Sequence, residues 1–176
     1  MRKKYAAFLR GINVGGNRIV PMLELKKAFE KHGCGNVSTL LASGNVIFEG
    51  EEKILEGIPA MLERRFGFSI DTIVLPMKAM EEIARGEHFR GIKVTPKTRL
   101  YVTFLKEKPT KKIKLPYVSD DGAFKILEIT DTAVFSVLDL EKTGTVKAME
   151  MLEKEFGRRI TTRNYNTVQK IAEVEK

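Results

Sequence analysis

The residue types best suited to chemistry fall in three short blocks, the first being Arg10-Gly11-Ile12-Asn13-Val14-Gly15-Gly16-Asn17. Gly15 and Gly16 leave backbone N–H groups uncovered ahead of a helix start, which suits a phosphate or carboxylate. Arg10 can close over such an anion with a bidentate contact, and Asn13 adds an amide. The spacing is not that of a Walker loop, because no Gly-Lys-Ser/Thr follows, nor the Gly-x-Gly-x-x-Gly of a dinucleotide fold. The same glycines equally suit a tight excursion between strand and helix with no ligand, since both uses draw on glycine's freedom in φ. The second block, Ser43-Gly44-Asn45, has the composition of a hairpin turn. Ser43 and Asn45 can orient a ligand there, but nothing marks Ser43 as a nucleophile, because neither histidine lies near it in sequence. In the third block Asn164 can cap a helix opening at Tyr165. Arg163 directly before that helix is electrostatically awkward, because the dipole there prefers negative charge; an anion held by Arg163, Asn164 and Asn166 would remove the conflict, and plain surface solvation is the alternative.

Other chemistry finds little support. Cys34 is the single cysteine, so no intramolecular disulfide is possible, and its place between Gly33 and Gly35 suits packing or a turn better than nucleophilic catalysis. Two histidines, His32 and His88, give no metal-ligand spacing, and the sequence implies no metal, no cofactor and no identifiable catalytic residue. The formal charge is +8, divided as fourteen basic against eleven acidic side chains over residues 1–90 and seventeen against twelve over 91–176. That balance favours anionic partners, a small molecule or a nucleic acid, without forming a basic tail. The densest cluster, Lys106 to Lys114, is broken by Pro109 and reads as a solvated surface rather than a nucleic-acid patch. No stretch approaches the length of a membrane span and the N-terminus lacks a signal-peptide core, so a cytoplasmic protein without a membrane partner is expected. Oligomeric state is not legible.

The elements that must position these blocks follow from periodicity. Tyr5 to Leu9 reads as a buried strand, and a helix with Pro21 in its first turn presents Leu23, Leu25, Ala28 and Phe29 on an apolar face. Val37 to Ala42 and Val46 to Phe48 read as a hairpin, Ile54 to Phe66 as a second helix entered through Pro59, Phe68 to Leu75 as a strand, and Met77 to Arg85 as an additional helix. The second half repeats the order: a strand at Arg99 to Leu105, a lysine-rich connection, paired strands at Phe124 to Ile129 and Ala133 to Leu138, a helix at Val146 to Phe156, a strand at Ile160 to Thr162 and a closing helix from Tyr165. Met61-Leu62-Glu63, Phe66-Gly67, Ile70 and Thr72 recur ninety residues later as Met151-Leu152-Glu153, Phe156-Gly157, Ile160 and Thr162, and Tyr5, Phe8 and Leu9 match Tyr101, Phe104 and Leu105. Internal identity in the same element order predicts an α+β fold of tandem duplicated β-α-β-β-α-β (ferredoxin-like) lobes, at 1–88 and 97–176, with antiparallel sheets and an extra helix after each. In a sheet of order 4-1-3-2, residues 10–17 and 43–45 become neighbours. Tyr5, Phe8 and Phe48 would then be either an RNA-stacking platform or, as is favoured, core.

Leu9 to Asn17, Val20-Pro21-Met22, Ser43 to Phe48 and Thr161 to Val168 together resemble the signature of the bacterial family known as domain of unknown function 1697, with Tyr165 where that family usually has tryptophan. The resemblance spans essentially the whole chain and implies a two-lobed fold but no reaction. Three functional readings therefore stand: a non-catalytic binder of a phosphate-bearing or other anionic ligand, such as a nucleotide or RNA, at the glycine-rich loop; an enzyme acting on an anionic small molecule; and an interaction module without a ligand.

Overall fold

A computed structural model describes residues 1–174 of the chain. It is a mixed α+β protein with two antiparallel sheets and five α-helices among those residues, and it divides into two compact units, residues 1–81 and 82–174.

In the first unit the strands β1 (Lys3–Leu9), β2 (Gly35–Leu40), β3 (Asn45–Gly50) and β4 (Thr72–Pro76) form a sheet of order β2-β3-β1-β4. β1 is central, with Ala7 opposite Val46 on one side and Val74 on the other. Alternation along it sends Tyr5, Ala7 and Leu9 to a core closed by the helices α1 (Met22–Lys31) and α2 (Ile58–Phe66), where they meet Leu25, Phe29, Phe48 and Leu62. Ala6, Phe8 and Ile47 on the other face are buried as well. The aromatic platform is thus core: Tyr5 stacks on Phe48 with ring centroids 5.6 Å apart, and Phe8 is fully buried.

Local chemistry shifts some boundaries. Pro21 stands at the N-cap of α1 rather than inside it, and Leu23 falls off the apolar stripe to lie 63% exposed, because Met22, Leu25, Ala28 and Phe29 already complete the three-to-four spacing. The stretch expected as one helix from Ile54 begins as a 3-10 turn at Glu52–Gly57 and becomes α-helical at Ile58, with Pro59 in the first turn where its missing N–H costs nothing. The hairpin turn occupies residues 41–44, and Asn45 is already the first paired residue of β3, opposite Leu40. The helix α3 (Met77–Arg85) follows β4 directly and crosses the division between the units.

The second unit has β5 (Thr98–Leu105), β6 (Tyr117–Val118), β7 (Phe124–Ile129), β8 (Ala133–Asp139) and β9 (Ile160–Asn164), in the order β6-β7-β8-β5-β9. The helix α4 (Thr145–Phe156) covers one face through Ala148 and Leu152, which pack with Tyr101, Leu105, Phe124, Val134 and Leu138. No helix corresponds to α1: between β5 and β7 the chain carries Pro109, Pro116 and a lysine run with no apolar stripe to bury, and forms only the short β6. α5 (Tyr165–Glu173) starts directly where β9 ends. The repeated sequence blocks hold like places: Gly67 and Gly157 both end helices at φ +79°, each donating its N–H to the carbonyl of Glu63 or Glu153 at 2.8 Å.

Candidate functional site

The first unit brings the two expected segments together. The N–H of Leu9 donates to the carbonyl of Gly44 at 2.9 Å, and Gly44 lies so close to Leu9 and Ile12 that a Cβ there would fall within 2.8 Å of both side chains. Asn13 is the hinge of this arrangement. Its Nδ2 donates to the carbonyls of Val20 and Ala42 at 3.0 and 2.9 Å, and its Oδ1 accepts the N–H of Val20 at 2.8 Å. Both amide protons are therefore committed to the chain itself, and Asn13 shapes the loop instead of presenting donors outward. Asn45 is likewise turned inward: it is 1% exposed and donates to the Leu40 carbonyl and the Ser43 hydroxyl, zipping the turn from within. Gly15 and Gly16, at φ +59° and +76°, occupy the tip of a small exposed turn closed by the Asn17 N–H on the Val14 carbonyl. Val20 and Pro21 separate that turn from α1, so it does not stand at the helix start. Arg10 is half-buried, with its N–H on the Asp71 carbonyl. Arg18, which residue type and spacing did not single out, ties the loop down by donating to the Ser69 carbonyl and lying 4.8 Å over the Phe68 ring.

The C-terminal block gives a more open arrangement. Arg163 belongs to β9, opposite Val102, and is only 9% exposed; its Nη1 donates to the Thr161 hydroxyl at 2.8 Å and to the Thr162 carbonyl at 2.9 Å. It is neither solvated nor poised before the helix, because alternation along the strand carries it onto a sheet face; burial draws its guanidinium down to about 10. Asn164 is the N-cap of α5, but its exposed side chain makes no capping hydrogen bond. The first turn of α5 holds no acidic residue, so its N–H groups and the positive end of its dipole lack a carboxylate.

A cleft of about 310 Å³ opens at this helix start, lined by Asn164, Asn166, Thr167, Arg99, Leu100 and Val94 among others. Thr167 is 9% exposed, and among the described residues its hydroxyl has no hydrogen-bond partner. Arg99 donates through Nη1 to the carbonyls of Pro96 and Thr98 at 2.9 and 3.1 Å and pairs with no carboxylate among the described residues. The signal that could have found Arg99 is strand pairing. Tyr101 stands opposite Asn164, so the residue two before it must lie beyond the end of β9, beside the start of α5. Tyr165 anchors that start: its hydroxyl donates to the Ala84 carbonyl at 2.9 Å, its ring lies 4.8 Å from Phe89, and burial raises its phenol above the usual value.

His88, Cys34 and part of the lysine cluster are engaged by their own surroundings. His88 Nδ1 lies 2.7 Å from the Glu128 carboxylate, the pairing of a general base, but its ring is stacked on Phe135 and Nε2 is buried, out of reach of a substrate. Cys34 is buried and its thiol is pushed up to about 11 by desolvation. In the lysine cluster, Lys108 and Lys111 pair with Asp131 and Glu155. Among the described residues no three His, Cys, Asp or Glu side chains gather to hold a metal ion, and no helix is long and apolar enough to cross a membrane.

Comparison with other proteins agrees with the sequence blocks. No curated protein matches the chain. Among solved structures, the conserved bacterial protein SP0830 from Streptococcus pneumoniae is similar over 100% of both chains with a TM-score of 0.69 at 20% identity, a likeness of fold. An unknown protein from Galdieria sulphuraria aligns over 93% of this chain and 98% of its own at 13% identity, with a TM-score of 0.26. The model of a protein family of unknown function, DUF1697, matches residues 2–135. The chain therefore belongs to the DUF1697 family.

Proposed function

We propose that this protein binds an anionic, phosphate-bearing small molecule at the N-terminus of α5. The observation that carries the reading is the pairing of an uncapped helix start with the hydroxyl of a largely buried threonine: Asn164 leaves the first-turn N–H groups open, and Thr167 lines the same cleft with no partner among the described residues. Such a terminus attracts negative charge through its dipole and donates directly to phosphate oxygens. Arg99 supplies a full positive charge, and its planar fork suits phosphate. No carboxylate stands among the cleft's lining residues to repel an anion. A small molecule is favoured over RNA because Tyr5, Phe8 and Phe48 are core and the lysine cluster is partly neutralised by its own carboxylates. This moves the anion site expected at the glycine-rich loop to the C-terminal block. No reaction is assigned.

We also read the two units as copies of one ferredoxin-like lobe, the second having lost its first helix. The shared strand order, β2-β3-β1-β4 against β7-β8-β5-β9, supports this, as do the matched buried positions Tyr5, Phe8 and Leu9 with Tyr101, Phe104 and Leu105. A buried lone thiol fits a cytoplasmic setting.

The test is a thermal-shift screen of the whole chain against nucleotides, sugar phosphates, inorganic pyrophosphate and short RNAs. A phosphate-bearing ligand should raise the melting temperature by mass action, and the rise with inorganic pyrophosphate should shrink in Asn164→Ala and Arg99→Gln. Equal shifts in both variants and the parent would remove the reading.

A further inference from the structure

A second, larger recess lies in the second unit. It measures about 660 Å³, the size of sites that hold nucleotide-sized molecules. Its floor belongs to the sheet face opposite α4, where Val137 pairs with Lys125 on one side and Leu100 on the other, and the Asp139 N–H meets the Ala123 carbonyl at 2.8 Å. One wall is the segment 91–98, stiffened by its own threonines: the Thr95 N–H donates to Thr98 Oγ1 at 3.0 Å, the two hydroxyls lie 3.1 Å apart, and the Lys97 N–H donates to Thr95 Oγ1 at 3.2 Å. Four lysines surround the recess from separate stretches of chain, Lys93 and Lys97 from that wall, Lys125 from β7 and Lys142 from the turn after β8.

None of these four lysines has an ion-pair partner among the described residues, whereas Lys108, Lys111 and Lys147 of the same unit each pair with a carboxylate. Two carboxylates also line the recess, Asp139 and Glu141, and Asp139 is partly occupied in accepting the Glu141 N–H at 3.0 Å. Four cations against two anions leave the recess electropositive over an apolar lining that includes Val137 and Ala123 on its floor and Ile92 in its wall. Lysines are point charges on flexible stems, so they suit several spread negative charges rather than one planar group. No aromatic ring lines the recess to stack a base, and no arginine offers a fork.

We infer that this lysine-ringed recess binds an organic polyanion, a molecule of nucleotide size with two or more phosphate-type charges and a body that rests on the aliphatic floor. The recess adjoins the cleft at α5 along residues 91–100 but has different lining residues, and the inference does not rest on the reading given for that cleft.

The experiment is a fluorescence titration of the whole chain with trinitrophenyl-ATP, a polyanion that brightens in apolar surroundings, at low and at moderate salt. Binding should weaken with salt, and inorganic tripolyphosphate should displace the probe. Lys97→Gln with Lys142→Gln should weaken binding about tenfold, and Glu141→Gln should tighten it about threefold. Lys154→Gln with Lys170→Gln, which removes the same charge elsewhere on the unit, should leave affinity unchanged. The inference is overturned by equal affinity in the Lys97/Lys142 variant, by an equal loss in the Lys154/Lys170 variant, or by failure of tripolyphosphate to compete.

Discussion

Asn13 and Asn164 are the same residue type in the same kind of sequence context, ahead of a helix, and the chain uses them in opposite ways. Asn13 closes three hydrogen bonds inside its own loop, while Asn164 leaves its amide in the open cleft at α5. Residue type alone shows that both can donate; it does not show which donors the backbone consumes, because that depends on carbonyls brought near from residues 20 and 42. Arg163 carries the same lesson, since a cation read as standing before a helix is turned by strand alternation into a buried group. Cys34 was legible as a packing residue, and its burial yields a prediction. Because desolvation raises the thiol to about 11, Ellman's reagent should leave the native protein unmodified at neutral pH and react fully once it is unfolded. The folded value lies above that of an unfolded thiol, so this contribution to stability is fully present at neutral pH and is lost as the pH climbs towards about 11. Over that alkaline window the denaturation midpoint of the parent should fall more than that of Cys34→Ala; parallel curves would contradict the assignment.

Among the elements, periodicity and punctuation located almost every helix and strand, because Gly67, Gly157, Pro21 and Pro59 stop or start them for reasons local to the backbone. What pattern could not supply was pairing detail. The four-residue turn at 41–44 and the placement of Asn45 inside β3 depend on the register between β2 and β3, which the side chain of Asn45 helps to fix from the buried side. Gly44 measures how tightly that turn is seated. Its φ of +80° disfavours any side chain, and Leu9 and Ile12 leave no space for one, so Gly44→Ala should cost about 2–4 kcal/mol. Gly67 has nearly the same φ, +79°, but open space around it, so Gly67→Ala should cost only about 1–2 kcal/mol. Urea denaturation of the two variants isolates the contact, and equal losses would mean that the turn does not press on the end of β1.

For the molecule as a whole, a mixed α+β chain with two antiparallel sheets was readable from the element order, and the residues that recur at a fixed offset include the helix ends at Gly67 and Gly157, which both donate their N–H to a glutamate carbonyl at a φ of +79°. The difference in local packing between the two units was not readable. The first unit closes its rim with Asn13 and Arg18, while the second has, around one cleft, an uncapped helix, the hydroxyl of Thr167, and an arginine near the start of β5 that pairs with no carboxylate among the described residues. Net charge of +8 favours anionic partners in general and points to no location, since several surface cations are locally paired. The central claim is that the start of α5 is where that anion sits. An amide-resolved NMR titration of the whole chain with inorganic pyrophosphate tests it most directly. The account predicts saturable shifts centred on the backbone N–H groups of Tyr165, Asn166 and Thr167 that disappear in Arg99→Gln; shifts centred on Gly15 and Gly16, or none at residues 165–167, would contradict it.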